Sequence, residues 1–258
     1  MILQGKTVIV SGVGPGLGAE IAAVALRDGA NVMIAARTEA KLRATGERLD
    51  PTGARIAWTT TDVADQAADE ALVAATVERF GAVDGLVHCA ALDSIMGGID
   101  GGTLAEWRQA FEVNFFGMIH LTRAALPHLQ SRRGSVVFIG SQTLLYPQVL
   151  QLVYAATKGA QLGAMHHLAQ EFGPSGVRFN TVVPSWMWGP PVQGYVEWQA
   201  GQSGITTDAM LAEMTKNFPL REMTADEDVA EAVAFFLSDR SSKITGQSLL
   251  VNSGELMS

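Results

Sequence analysis

Short apolar runs alternate with helix-period segments along the whole 258-residue chain. Within the runs Val, Ile and Leu follow one another without polar alternation, which is typical of strands buried on both faces of a parallel sheet. The predicted strands are residues 6–11, 31–36, 55–60, 85–89, 134–140, 178–183 and 248–251. The predicted helices are residues 16–27, 39–49, 66–80, 104–129, 153–172 and 226–237. This order predicts an α/β fold, a doubly wound sheet of about seven parallel strands with helices on both faces.

One segment breaks the alternation. Between Pro184 and about Leu220 the strand–helix pattern lapses, and three of the five Trp residues fall there, at Trp186, Trp188 and Trp198. Ligands of open parallel sheets bind beyond the carboxyl ends of the strands. We therefore expect one domain, residues 1–258, with a segment at about 185–220 that covers a substrate; a packed flap or a subunit contact is the alternative.

A glycine-rich turn follows the first predicted strand and opens directly into a helix. Glycines let backbone N–H groups approach a pyrophosphate at the helix N-terminus, where the helix dipole favours an anion. Because this turn lies in the first strand–helix–strand unit, it predicts a Rossmann-type dinucleotide site. The expected binding residues are Ser11, Gly12, Gly14, Gly16, Leu17 and Gly18.

The end of the second strand bears on the choice between the two nicotinamide cofactors. NAD-binding proteins usually place a carboxylate there for the ribose hydroxyls, but this chain has Ala36, Arg37 and Thr38. A guanidinium without a carboxylate suits a 2′-phosphate through charge-assisted hydrogen bonds. We expect NADP(H) binding through Arg37 and Thr38, with NAD(H) as the alternative; Glu39 is expected to open the next helix.

Tyr154 and Lys158 are four residues apart on a predicted helix, and Ser141 ends the fifth predicted strand. Positions i and i+4 share one helix face, so a phenol lies beside an ammonium. A free phenol has a pKa near 10, and a cation about 4 Å away is worth on the order of 4 kcal/mol at an effective dielectric near 20. We expect Lys158 to lower the pKa of Tyr154 so that it serves as acid and base at a carbonyl or alcohol, with Ser141 bonding the substrate oxygen.

In these motifs the chain resembles the short-chain dehydrogenase/reductase family over nearly its full length. Besides the glycine turn and the Ser141, Tyr154 and Lys158 set, Asp62-Val63 resembles the pair that contacts adenine, and Asn114 resembles the family's helical Asn. The resemblance implies that Lys158 also grips the nicotinamide ribose and that Asn114 holds a proton-relaying water. It implies further cofactor contacts from Tyr154, Cys89, Ala90, Ala91, Pro184, Ser185 and Met187.

The chain also departs from the family's pattern in three places, one of which is Pro184-Ser185, where the family has Pro-Gly after the sixth strand. The usual Asn-Asn-Ala-Gly reads His88-Cys89-Ala90-Ala91, which implies altered packing beside the cofactor, and Gly189 stands where many members carry a Thr. We expect a bulky, apolar or cyclic alcohol or ketone as substrate, because Trp residues crowd the covering segment and apolar residues follow Ser141. The expected pocket residues are Gln142, Tyr146, Trp186 and Trp188.

Composition narrows the remaining functions. A net charge of −8 gives no basic face for nucleic acid, the apolar stretches are too short to span a membrane, and the five His residues lack metal-ligand spacing, so no metal is expected. Cys89 is the only cysteine, which favours a reducing, cytoplasmic location. The resemblance implies a homotetramer or homodimer. Two other functions stay open: an NAD-dependent alcohol or diol dehydrogenase, and a non-catalytic nucleotide-binding sensor or scaffold.

Overall fold

The computed structural model describes residues 1–147 and 150–257, apart from the side chain of residue 191. A single sheet of seven parallel strands lies at its centre, in the order β3-β2-β1-β4-β5-β6-β7. The strands are β1 Thr7–Ser11, β2 Asn31–Ala36, β3 Ile56–Thr60, β4 Gly85–His88, β5 Ser135–Ile139, β6 Arg178–Pro184 and β7 Ser248–Val251. The predicted fold class is confirmed, and each strand begins and ends within one residue of its predicted bounds.

Nine α-helices in the described residues surround this sheet. They are α1 Leu17–Arg27, α2 Glu39–Leu49, α3 Gln66–Phe80, α4 Leu104–Phe111, α5 Gly117–Arg132, α6 Leu152–Phe172, α7 Pro190–Ser203, α8 Thr207–Thr215 and α9 Asp226–Leu237. None of them combines the length and apolarity that a bilayer crossing requires.

Two apolar layers sandwich the sheet, one on each face. In β1, Val8 and Val10 join the layer that includes α1 and α9, whereas Ile9 joins the layer that includes α3, α5 and α6. This division follows from the period of two in a strand, because successive side chains point to opposite faces. Each fully buried aliphatic side chain contributes about 1.5–3 kcal/mol of transfer free energy, and the rigid sheet that results holds the ends of its strands in fixed register.

Two features differ from the sequence pattern. The helix predicted over residues 104–129 is interrupted by a π-helical turn, Glu112–Phe116, which contains Asn114. The segment at 185–220 contains α7 and α8, which no period had indicated. The two helices bury only a small apolar cluster around Val196, Ala200, Met210 and Met223, which is too little to produce a clear helical period.

Candidate active site

An open cleft of about 330 Å³ lies along the carboxyl edge of β1–β4. We call it the cofactor cleft. Nine of the predicted cofactor residues line it, namely Gly12, Gly14, Arg37, Thr38, Asp62, Val63, Cys89, Ala90 and Ala91. Sequence reasoning missed several of its other lining residues, among them Lys41, Leu92, Gln109 and Val113. Lys41 could have been predicted from the sequence, because it is a cation in the first turn of the helix that begins at this cleft.

The glycine turn supplies the close backbone approach that a dinucleotide needs. Gly12 has a φ of +93°, and a Cβ there would lie 2.2 Å from the backbone nitrogen of Ala90. A Cβ on Gly18 would lie 2.6 Å from the carbonyl oxygen of Gly12. Gly16 begins α1 without any side-chain cap, which leaves the first N–H groups of the helix to a ligand. This turn therefore fits a nicotinamide dinucleotide, the cofactor class that the sequence predicts.

The other predicted residues of this turn are buried. Leu17 and Gly18 are buried in α1. Ser11 is 1% exposed, and its hydroxyl has no hydrogen-bond partner within the described residues. Because a buried hydroxyl without a partner is costly, Ser11 is poised to bond a group that approaches the end of β1.

The end of β2 carries positive charge and no free carboxylate. Arg37 and Thr38 are exposed at the cleft, and Lys41 lines it from α2. Glu39 does not line the cleft, and its carboxylate accepts a hydrogen bond from Arg43 at 2.9 Å. The two cations are thus placed where the ribose of a dinucleotide lies in folds of this kind.

On the other side of the cleft, Asp62 and Val63 follow β3. The Asp62 carboxylate accepts a hydrogen bond from the backbone N–H of Ala64 at 3.1 Å, which shapes the turn. The backbone of Val63 is held against α5, since a Cβ on Gly117 would lie 2.4 Å from its carbonyl oxygen. These contacts fix the wall at which the sequence predicts adenine binding.

The structure brings Tyr154, Lys158 and Ser141 together beyond the end of β5. The Lys158 ammonium is 2% exposed, donates to the carbonyl oxygen of Ile139 at 2.6 Å and lies 5.5 Å from the centre of the Tyr154 ring. The Ser141 hydroxyl accepts a hydrogen bond from the Thr143 hydroxyl at 2.9 Å. A phenol, an ammonium and a hydroxyl are therefore grouped at one end of a rigid strand.

The expected effect of Lys158 on Tyr154 is wrong for this structure. Burial raises the pKa of Tyr154, the charge of Asp93 raises it further, and a hydrogen bond with Ser141 opposes them. Burial also lowers the pKa of Lys158 to about 8. The physical reason is that desolvation disfavours both charged forms, while the ammonium is bound by the Ile139 carbonyl rather than by the phenol oxygen.

Asn114, in the π-helical turn, links the loop after β4 to α6. Its side-chain oxygen accepts from the N–H of Leu92 at 2.6 Å, and its amide nitrogen donates to the carbonyl oxygen of Leu92 at 2.9 Å and to the Thr157 hydroxyl at 3.0 Å. Both amide hydrogens are therefore used within the protein. Only a lone pair of the oxygen is left for the water that the resemblance implies at this residue.

His88 and Cys89, the first two residues of the altered motif at the end of β4, pack as an uncharged pair. His88 is buried, its Nε2 lies 2.9 Å from the Thr122 hydroxyl, and its ring stacks on Phe138 with centres 5.2 Å apart. Burial lowers the pKa of His88 to about 3 and raises the pKa of Cys89 to about 11. The imidazole and the thiol are uncharged at neutral pH, and no cluster of three potential metal ligands occurs among the residues described.

Beyond Ser141 lies a second region, the substrate end, made of residues 141–146, 184–189 and 252–257. Gln142 is buried, and its side-chain oxygen accepts from the Asn252 amide at 2.7 Å. The Ser185 hydroxyl donates to the Glu255 carboxylate. Neither Asn252 nor Glu255 carried any signal in the sequence, because their partners are 110 and 70 residues away along the chain.

The remaining predicted residues lie in the same region but outside the cofactor cleft. Tyr146 is 57% exposed, whereas Trp186 and Trp188 are half-buried and pack against the small cluster of α7 and α8. Pro184 is the buried last residue of β6. Met187 pairs with Thr224 in a short bridge. The structure thus brings these residues to the same end of the sheet as Ser141.

Comparison with known proteins agrees with this architecture. The family model described as enoyl-(acyl carrier protein) reductase matches residues 12–255. An L-fucose dehydrogenase from Bos taurus is 34% identical over 97% of this chain and 89% of its own length. A solved short-chain dehydrogenase/reductase from Brucella melitensis, described as glucose/ribitol dehydrogenase, has a TM-score of 0.88 at 26% identity and covers 99% of this chain and 98% of its own. A variant of actinorhodin polyketide ketoreductase with NADPH has a TM-score of 0.87 at 29% identity, with 96% of each chain covered.

The chain belongs to the short-chain dehydrogenase/reductase family. It is an oxidoreductase of the class that acts on CH–OH groups with a nicotinamide dinucleotide. The relatives differ widely in the substrates their names give, so membership defines the reaction class and leaves the substrate to the residues of the site.

Proposed function

We propose that this protein interconverts a secondary alcohol and a ketone, with Ser141, Tyr154 and Lys158 as its catalytic residues and NADP(H) as its preferred cofactor. The observation that carries the proposal is the grouping of these three side chains beyond β5, next to a glycine-lined dinucleotide cleft. The family that the chain belongs to supports the same reaction class.

In the reductive direction Tyr154 is the proton donor. Its raised pKa keeps the phenol protonated through neutral pH, and a protonated phenol is the form that a developing alkoxide requires. Ser141 orients the carbonyl oxygen. A nicotinamide held in the cofactor cleft would supply the hydride for the carbonyl carbon, and its oxidised form would carry a positive charge that favours the phenolate. In the alcohol direction the Tyr154 phenolate would take the hydroxyl proton and pass it on to solvent, while the hydride of the carbinol carbon would go to the oxidised nicotinamide.

Lys158 contributes its charge and its position. Its ammonium is held by Ile139 at 2.6 Å, on the side of α6 that faces β5. With a pKa of about 8 it is mostly charged at pH 7, the form in which it would hold the nicotinamide ribose, as the family resemblance implies. Asn114 fixes this arrangement by tying Leu92 to Thr157, whose hydroxyl donates to the carbonyl oxygen of Tyr154 at 2.8 Å.

The preference for NADP(H) rests on charge at the end of β2. Arg37 and Lys41 present two cations to the cofactor cleft, while Glu39 is engaged by Arg43. A 2′-phosphate gains charge-assisted hydrogen bonds there that a ribose hydroxyl cannot match. One structural relative is described with NADPH, which agrees with this proposal.

We infer a bulky, apolar or cyclic substrate from the residues beyond Ser141. Leu145 and Tyr146 are exposed there, and Trp186 and Trp188 follow β6. A second candidate is an NAD-dependent alcohol or diol dehydrogenase. The relatives described as L-fucose and glucose/ribitol dehydrogenases favour it, because those names denote polyhydroxylated substrates.

We also propose a homotetramer or homodimer in a reducing cytoplasm. Leu104, Phe116 and Leu152, on three helices along one side, are 72%, 42% and 41% exposed. Apolar side chains of this size on helices are typical of subunit contacts. The single cysteine is the support for the reducing compartment.

The test follows NADPH and NADH oxidation separately across cyclic, steroidal and β-keto acyl ketones. We expect turnover with NADPH on one cyclic or bulky class. Turnover with NADH alone on a small diol or its hydroxyketone would replace the proposal by the second candidate. No oxidation of either cofactor and no oxidation of any matching alcohol, despite measurable cofactor binding, would contradict the proposed reaction.

A further inference from the structure

Asp93 is a carboxylate that the proposed reaction does not use, on the loop that joins the cofactor cleft to the segment carrying Tyr154. It is the residue after Leu92, which lines the cofactor cleft. Its side chain is exposed, and within the described residues it takes part in no hydrogen bond or ion pair. A carboxylate left free at the mouth of a site is available to a ligand.

Two sets of hydrogen bonds fix this loop beside the beginning of α6. On one side, Asn114 binds both backbone groups of Leu92 and reaches Thr157, which is bonded in turn to the carbonyl oxygen of Tyr154. On the other side, the N–H of Gly97 donates to the carbonyl oxygen of Leu150 at 2.8 Å. Gly97 also pairs with Gln151 in a short parallel bridge. Asp93 therefore lies on a loop tied at both ends to the segment that carries Tyr154.

The electrostatics of the site agree with this position. Burial is the main influence on both groups, raising the pKa of Tyr154 and lowering that of Lys158. The charge of Asp93 raises the pKa of both. These directions agree with the two anchors of the loop, which hold its backbone against the segment that carries Tyr154.

We propose that Asp93 is a specificity-determining residue whose carboxylate accepts a hydrogen bond from a second hydroxyl on the substrate, next to the reacting carbon. This inference rests on the proposed alcohol–ketone reaction and narrows its substrate class to vicinal diols and α-hydroxyketones on a ring. An ionised carboxylate only accepts hydrogen bonds, so it selects a donor at that position and disfavours a neighbouring anion. The second hydroxyl takes no part in the reaction, because only the first hydroxyl is oxidised.

The experiment compares two alcohols of nearly equal shape. trans-1,2-Cyclohexanediol carries a second hydroxyl that donates, and trans-2-methoxycyclohexanol carries an ether oxygen that cannot. The ratio of kcat/KM for the diol to kcat/KM for the ether is measured for the wild-type protein, for Asp93→Asn and for Asp100→Asn. Asp100 is an exposed carboxylate on the same loop that is not among the charges acting on Tyr154 or Lys158, so its variant removes the same charge from the loop without touching the proposed contact.

We expect a ratio of at least tenfold in the wild-type protein and in Asp100→Asn, and a ratio near one in Asp93→Asn. A wild-type ratio near one, or an Asp93→Asn variant that slows both alcohols equally and keeps the ratio, would overturn the inference and leave the proposed reaction intact. A higher kcat/KM for trans-2-aminocyclohexanol than for the diol, lost in Asp93→Asn, would overturn the hydroxyl in favour of an ammonium. No turnover of any of these alcohols, or of the ketones above, would overturn the proposed reaction itself.

Discussion

The cofactor cleft and the substrate end, which lie at the same edge of the sheet, are built in different ways. The cofactor cleft is made of turns that each directly follow a strand, and its shape depends on local backbone geometry such as the φ of +93° at Gly12. The substrate end is made of segments far apart in the chain, joined by side-chain hydrogen bonds such as Gln142 to Asn252. The shape of the cofactor cleft is therefore determined by local sequence, and that of the substrate end by contacts that form only in the folded chain. Substitutions in the two regions should affect stability and ligand binding differently.

The largest stability effect is expected in the cofactor cleft, from Gly12→Ala. The new Cβ would lie 2.2 Å from the Ala90 nitrogen in a conformation that L-residues rarely adopt, so we expect a loss of about 3 kcal/mol or more in the free energy of unfolding. Gly14→Ala is the matched control, since no atom lies within 4 Å of its Cβ. Denaturant unfolding measures both, and equal stabilities would show that close backbone approach does not define this cleft.

A buried carboxylate behind the cofactor cleft gives the next largest effect, of opposite sign. Asp69 is fully buried, neither carboxylate oxygen has a partner among the described residues, and burial raises its pKa to about 8. The folded state thus holds a proton that the unfolded state releases above pH 4, so its stability falls between pH 4 and 8. We expect Asp69→Val to raise the free energy of unfolding by about 2 kcal/mol at pH 8.

This gain must shrink as the pH falls towards 4, because the unfolded state then begins to bind the proton that the folded state already holds. Unfolding curves at pH 4.5, 6 and 8 measure the trend, with Asp100→Val as the exposed control. A gain that is the same at all three pH values would show that packing, and not the buried carboxyl, is responsible.

At the substrate end, Asn252→Ala leaves the buried Gln142 oxygen without its partner. We expect a loss of about 1–3 kcal/mol in stability and a higher KM for the ketone, with the Kd of the cofactor unchanged because no residue of the C-terminal segment lines the cofactor cleft. A double-mutant cycle with Gln142→Ala isolates the pair. Additive effects, or an equal weakening of cofactor binding, would remove the distinction between the two regions.

The smallest effect concerns the choice of cofactor. Arg37→Ala should weaken NADPH binding about tenfold, or about 1.4 kcal/mol, and should change NADH binding much less. Arg48→Ala, an exposed Arg at the far end of α2, is the control. Fluorescence titration with each cofactor measures the difference, and equal losses for NADPH and NADH would contradict a phosphate site at the end of β2.

Most of the fold could be predicted from the sequence, because strand burial and helix period are local properties. The glycine turn and the i, i+4 pair of Tyr154 and Lys158 are local in the same sense. The helices α7 and α8 could not be predicted, because they bury only a small apolar cluster. The π-helical turn could not be predicted because the partners of Asn114, Leu92 and Thr157, lie 22 and 43 residues away along the chain. The same holds for His88, whose pKa is lowered by burial and whose ring contacts Thr122 and Phe138, both far away along the chain.

Electrostatics was the least predictable part of the site. The distance between Tyr154 and Lys158 along the helix suggested a lowered phenol pKa, but burial affects both groups more strongly than their proximity. Asp93 and Ile139, which also act on this pair, belong to other elements. Only the folded structure shows how deeply the phenol and the ammonium are desolvated.

The most direct test of the proposed proton transfer is Tyr154→Phe, with turnover and cofactor binding measured on the same preparation. The substitution removes only the phenol oxygen, so proton transfer is lost while the cleft keeps its shape. We expect kcat to fall by at least about 100-fold while the Kd for NADPH stays within about threefold of wild type. Near-wild-type turnover in this variant would show that Tyr154 does not exchange a proton with the substrate oxygen.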